Sequence, residues 1–257
     1  MPRAIIIRYG RRILGFLIFA GILGHSRSMP EVGCELYKLI TVSGTDRVNF
    51  LQGQLTQDVS QLAGAGRLWA AWCNPKGRVI VTIRLIDQGD SIGLLVPAGL
   101  ADALVRRLAM YRLRADVAFE VSDDWQDLID DDDADLLARI RSGVALIDDT
   151  NTETFTPHML NLDKIGAISF SKGCYTGQEV VARTEHLGKS KRRLMRYEAD
   201  GDGIEVGDKL SDDERNVGEV VNVSGRDLLA VTPVELHDRA LAIDDMTVTP
   251  QTLPYSL

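Results

Sequence analysis

Cysteine is scarce in this 257-residue chain: three residues, Cys34, Cys73 and Cys174. An odd, sparse set builds no disulfide framework and points to a reducing compartment. No C-x-x-C is present, and the four histidines (His25, His158, His186, His237) form no H-x-x-x-H pair. A self-contained zinc or iron–sulfur site is therefore not expected from sequence spacing. G-x-S-x-G, Walker A and a strand-following G-x-G-x-x-G are missing as well, which removes conventional hydrolase, P-loop and Rossmann readings. Positive charge is also lacking: the formal net charge is -8 and the pI about 5.1. Such a chain is a poor general nucleic-acid coat, which needs a basic surface.

No apolar run reaches the roughly 20 residues that cross a bilayer. The longest in the N-terminal stretch, Ile13 to Gly24, follows Arg8, Arg11 and Arg12. Residues 1–28 hold five arginines and no acid, unlike the acidic remainder. Two readings stay open, an export or anchoring segment and a start codon placed upstream of the true one. The second is preferred, with Met29 opening a cytoplasmic protein. Either way, 1–28 is set aside as an extension to the fold.

What is present is ordinary globular composition, 45% hydrophobic and 26% charged. Strands are predicted over Glu35–Val42, Arg67–Cys73, Arg78–Ile86 and Ser91–Val96, with a helix after Thr45 carrying Val48, Leu51 and Leu55 on one face. Asn74-Pro75-Lys76-Gly77 and Gln88-Gly89-Asp90 are turns too short for parallel crossovers, so the sheet is an antiparallel meander. Leu100, Leu104 and Leu108 predict a helix over 99–111, followed by a strand over 112–121. Asp123 to Asp135 holds eight aspartates without EF-hand spacing and reads as a solvated loop or frayed helix. Beyond 189, short strands (194–199, 217–223, 228–234, 246–249) between glycines predict a small β-barrel or sandwich.

The densest signal is Lys172-Gly173-Cys174-Tyr175-Thr176-Gly177-Gln178-Glu179, leading into a helix over 178–185. A cysteine just before a helix and close to a lysine suits a thiolate. A buried thiol in a tight turn is the alternative, and Glu179 with Arg183 is an ordinary i,i+4 pair.

This octapeptide resembles the signature of the YgfZ family, folate-binding proteins related to the glycine-cleavage T-protein. Residues 50–58 (Phe50 to Asp58), the hairpin Asn74 to Val79 and the stretch from Thr156 to Phe170 fit in the same order, so the likeness runs from about residue 34 to the C-terminus. The resemblance implies an α+β fold of T-protein type: two interleaved α+β lobes with antiparallel sheets over 29–188, and a C-terminal β-barrel over 189–257, around a central cavity. It implies a tetrahydrofolate-binding accessory factor for assembly or repair of [4Fe–4S] enzymes, indirectly supporting tRNA modification. Cys174 is then the key residue, and one ligand of a transient cluster shared with a partner. Partners would be iron–sulfur assembly proteins and their client enzymes, the chain itself being a monomer. Asn74, Lys76, Arg78, Lys172, Tyr175, Gln178 and Arg183 are the expected folate-side residues.

Two rival functions are weighed. T-protein aminomethyltransferases carry an acidic pair whose matching places here are Val81 and Thr82. A valine neither orients an amine nor holds a proton, so transferase chemistry is not expected. A tRNA-binding module could use Lys189, Lys191, Arg192, Arg193 and Arg196, but only Tyr197 is at hand for stacking, and a linker and strand is the preferred reading.

Overall fold

The computed structural model describes residues 36–188, 190–213 and 215–257. The proposed extension 1–28, Cys34 and Lys189 lie outside them. The first sheet is built from β1 (Tyr37–Ser43), β2 (Arg67–Cys73), β3 (Val79–Asp87), β4 (Ile92–Pro97) and β5 (Ala118–Ser122) in the order β2-β3-β4-β1-β5. All four pairings are antiparallel, and the two short turns 74–78 and 88–91 make β2-β3-β4 the expected meander. Pairing of β1 between β4 and β5 was not legible, because strand order across a long connection leaves no local signal.

Between β1 and β2 lie α1 (Arg47–Gln52) and the single-turn α2 (Leu62–Ala65). The helix α3 (Ala101–Arg112) buries Ala101, Leu104 and Leu108, as its four-residue leucine spacing predicts. It runs one residue into the stretch expected to be strand. Leu113, at φ 45°, then breaks it, and β5 begins at Ala118. This face of the sheet carries the first core, with Phe50, Leu51, Leu55, Trp72, Val81, Leu94 and the α3 leucines in one cluster.

The aspartate run is more anchored than expected. Trp125 and Ile129 are buried, and the Trp125 indole donates to the Tyr37 carbonyl at 3.1 Å. Arg84 meets Asp133 at 3.0 Å and Arg67 meets Asp130 at 2.9 Å. Part of the acidic charge is therefore tied to the sheet, and the run forms α4 (Asp131–Ala134) before α5 (Leu136–Ser142). From 143 to 177 the chain forms turns rather than strands, so among the described residues the α+β part carries one sheet.

After α6 (Gln178–Leu187), six strands close a barrel in the order β10-β11-β6-β9-β8-β7: β6 (Arg192–Ala199), β7 (Lys209–Asp212), β8 (Arg215–Ser224), β9 (Asp227–Pro233), β10 (Leu241–Ile243) and β11 (Met246–Gln251). Closure removes the exposed edges that an open sheet would present. The two strands absent from the sequence reading, β7 and β10, are four and three residues long, too short for alternation to register.

Barrel and α+β part share a core. Ala71, Cys73 and Val79 from the hairpin, Ile140 from α5 and Val181 from α6 pack with Leu194, Val221, Leu229 and Val231 from the barrel. Buried asparagines fix the register between them. Asn222 makes a two-way bond with the Leu146 peptide, 2.8 Å in each direction. Asn151 donates to the Val221 carbonyl at 2.9 Å and Asn161 to that of Leu194 at 2.8 Å. The pairing of β8 with β9 shifts between Val220 and Asn222. Such a bulge leaves one residue out of the ladder, and here Asn151 takes up the carbonyl.

Candidate functional site

Three segments that are distant in sequence meet at the signature. The first is the 52–58 loop. Asp58 accepts from the Gln52 amide at 2.9 Å and from Ser60, which together hold its carboxyl below the usual range; the Ser60 hydroxyl is the leading cause. Thr56, fully buried, accepts from the Ala71 N–H at 2.8 Å and donates to the Ala167 carbonyl at 2.7 Å. Gln57 reaches the Gly166 carbonyl. This loop is thus the scaffold on which the lead-in to the signature is laid.

Lys172 closes that attachment. Its ammonium donates to the carbonyls of Leu55 and Gln57, at 2.8 Å each, and lies 5.3 Å from the centre of the Tyr175 ring. Burial lowers its pKa to about 8, with Asp58 opposing the shift. The sequence places Lys172 two residues from Cys174; the structure directs its charge to backbone oxygens instead. Burial likewise pushes the Tyr175 phenol above its ordinary range.

Cys174 is exposed. Gln178, the first residue of α6, folds back over it. Its side-chain oxygen accepts from the Tyr175 N–H at 3.0 Å, and its amide nitrogen donates to Cys174 Sγ at 3.4 Å. Among the described residues this amide, rather than the helix N–H groups, is the sulfur's donor. Cys73 is the opposite case: buried, with its thiol pushed up to about 12 by desolvation.

The third segment is the 74–78 turn. Asn74 Oδ1 accepts from the N–H groups of Lys76 and Arg78, at 2.9 and 3.0 Å, and its amide donates to Glu153 at 2.6 Å. Gly177, at φ 82°, sits directly on this turn: a Cβ there would lie 2.4 Å from the Asn74 carbonyl and 3.3 Å from Gly77 Cα. Gly77, at φ 69°, would in turn meet Val180 at 2.7 Å. Both glycines are required by positive φ and close approach together, and they dock the start of α6 on the hairpin.

Beside the turn, Arg107 pairs with Glu153 at 2.6 Å and lies 5.5 Å from the Trp72 ring centre. Arg107 and then Asn74 hold the Glu153 carboxyl below its usual range. The Tyr111 ring meets Trp72 edge-on at 6.2 Å. Trp72 is 1% exposed, and its indole N–H has no partner among the described residues. Sequence reading missed Trp72, Arg107, Tyr111 and Glu153 as site residues. Helix and strand assignments accounted for the first three, and no motif marks Glu153.

The expected residues separate into two groups. Asn74, Lys76, Arg78, Lys172, Tyr175, Gln178 and Cys174 belong to the contiguous turn-and-loop assembly, although the Arg78 guanidinium is bonded to the Thr154 carbonyl at 2.6 Å. Arg183 stands apart, in an exposed pair with Glu179 at 2.7 Å. Val81 is fully buried in the first core. Thr82 donates to the Ala145 carbonyl at 3.0 Å and accepts from the Ile147 N–H at 3.3 Å. These two positions hold packing and a backbone tether where a transferase would need carboxylates. The basic stretch after α6 is largely engaged inside the molecule. Arg193 binds Asp163, Arg196 binds Asp227 and Arg192 binds the Val217 carbonyl.

Among the described residues no helix is long and apolar enough to cross a membrane. No protein-family model matches the chain. Among solved structures, the glycine cleavage system aminomethyltransferase T of Bartonella henselae superposes with a TM-score of 0.68 over 86% of this chain and 84% of that one, at 15% identity. The fold is therefore of the aminomethyltransferase T class. Within that class, the resemblance to the YgfZ family is borne out. Proteins named tRNA-modifying protein YgfZ are 26% identical in Hamiltonella defensa (80% of this chain, 84% of the relative) and 28% in Enterobacter sp. (88% and 93%). The Yersinia pestis protein of that name is 26% identical (88% and 92%).

Proposed function

We propose that this chain supports tRNA modification as a folate-binding accessory factor, by assembly or repair of the iron–sulfur cluster of a tRNA-modifying enzyme, with Cys174 as its working group. The observation that carries this reading is that the family-like stretches meet at the loop that bears one exposed thiol. The 52–58 loop holds Lys172, the 74–78 turn seats Gly177, and Gln178 orients the sulfur. A structural thiol needs no such apparatus and would be buried.

One thiolate gives one metal ligand, whereas a [2Fe–2S] cluster takes four protein ligands. The cluster is accordingly cargo, and the remaining ligands come from an assembly partner or the client enzyme. Exposure of Cys174 on a loop, rather than in a closed pocket, suits such a hand-over.

The residues beside the turn fit a reduced folate. Trp72, whose indole N–H has no partner among the described residues, lies under the Arg107 and Tyr111 side chains. Glu153, kept ionised by Arg107, can accept from pterin N–H groups, and exposed Lys76 can meet a glutamyl carboxylate. Tetrahydrofolate, when bound, supplies a reduced pterin ring that carries one-carbon units. With Val81 and Thr82 in place of an acidic pair, this chain has no carboxylate there to direct transfer of such a unit, and the aminomethyltransferase reading is not favoured.

Calorimetry with tetrahydrofolate and the full chain tests the folate half. Binding is expected in the wild type and is expected to weaken about tenfold or more in Glu153→Gln, the cost of a lost charge-assisted bond. A folded wild-type sample giving no heat overturns it.

A further inference from the structure

The far end of α6 carries a second cluster that the signature does not use. His158, Asp163 and Glu185 each offer a donor atom, and the three atoms lie within 4.8 Å of one another. They line a cleft of ≈ 700 Å³ together with Lys164, His186 and Arg193. Three features separate this cluster from ordinary surface acidity. His158 is 1% exposed, and its Nε2 stands 3.1 Å from Glu185. The Asp163 side chain is 9% exposed. Arg193 binds one Asp163 oxygen at 2.5 Å and the His158 carbonyl at 3.0 Å, so it fixes both ligand-bearing residues at once.

We propose that His158, Asp163 and Glu185 form a binding site for a divalent transition-metal cation. One imidazole with two carboxylates is an N/O set that suits zinc and its first-row neighbours. Tetrahedral donors around zinc stand roughly 3.3 Å apart, and the His158–Glu185 separation already matches. Arg193 holds Asp163 in place, the arrangement by which outer residues orient metal-binding carboxylates. The open side of the cleft leaves room for water as the remaining ligand.

The test is equilibrium dialysis of the full chain with zinc(II), and absorption spectroscopy with cobalt(II), on wild type, Glu185→Gln and Cys174→Ser. One equivalent of zinc should bind the wild type and Cys174→Ser alike. Affinity should fall at least tenfold in Glu185→Gln, a half-exposed position whose replacement leaves the fold intact. Bound cobalt should show weak visible bands without the charge-transfer band of a thiolate. Failure of the wild type to bind zinc overturns the proposal. So does unchanged affinity in Glu185→Gln, or loss of binding in Cys174→Ser, which would move the metal to the signature loop. None of these outcomes depends on the folate or tRNA reading.

Discussion

Gly177→Ala is expected to destabilise the protein by about 2–4 kcal/mol, within the range of backbone strain combined with overpacking. Two costs add. Alanine at φ 82° pays the left-handed penalty, about 1 kcal/mol. Its methyl would also lie 2.4 Å from the Asn74 carbonyl, a backbone atom of a turn pinned by Asn74's own side chain. Neither partner can move cheaply, so the start of α6 must lift from the hairpin, and the hold of Gln178 on Cys174 goes with it. Gly173 is the matched control: a Cβ there meets nothing within 4 Å, and Gly173→Ala should stay within about 0.5 kcal/mol of wild type. Urea denaturation of both variants measures the contrast. Equal midpoints for Gly177→Ala and wild type would mean that the glycine-on-glycine seat does not hold the loop.

The second large effect is chemical. Cys174 is exposed with an amide donor on its sulfur, whereas the buried Cys73 thiol is pushed up to about 12. Burial holds Cys73 in its thiol form, and the thiolate is the reactive form. Burial shields it from reagents besides. Brief iodoacetamide treatment of the native protein, followed by peptide mapping, should therefore alkylate Cys174 at least ~10³-fold faster than Cys73. Comparable rates would place Cys174 inside the structure rather than on its surface.

The sequence made some parts of this legible and hid others for physical reasons. The meander over 67–97 and the helix over 101–112 were readable because alternation and leucine spacing are local properties. The barrel was readable as a class, from short strands between glycines, but its closure depends on β7 and β10, where a handful of residues leaves no period to detect. The same division runs through the site. Cys174 and its loop stood out as a contiguous motif. The role of Gln178 as the sulfur's donor, of Lys172 as a tie to the 55–57 carbonyls, and of Glu153 as the partner of Asn74 all depend on chain segments 4 to 117 residues apart. Spacing in the sequence suggested a lysine beside the thiol; the fold turned that lysine toward carbonyls because a buried ammonium needs acceptors more than it needs a neighbouring sulfur. The histidine, aspartate and glutamate at the far end of α6 passed unnoticed for the same reason, since 158, 163 and 185 have no metal-ligand spacing.

Nucleoside mass spectrometry tests most directly whether Cys174 acts in tRNA modification. A host lacking its own copy of the gene would carry the wild-type chain, Cys174→Ala or Cys174→Ser, with abundance and thermal midpoint checked for each. Because Cys174 is exposed and lies outside the core clusters, both variants should fold, with stability within about 0.5 kcal/mol of wild type. Wild type should restore methylthiolated nucleosides in total tRNA, and both variants should leave them near the level of the empty strain. Full restoration by Cys174→Ala would contradict the account and leave the thiol with no part in the function.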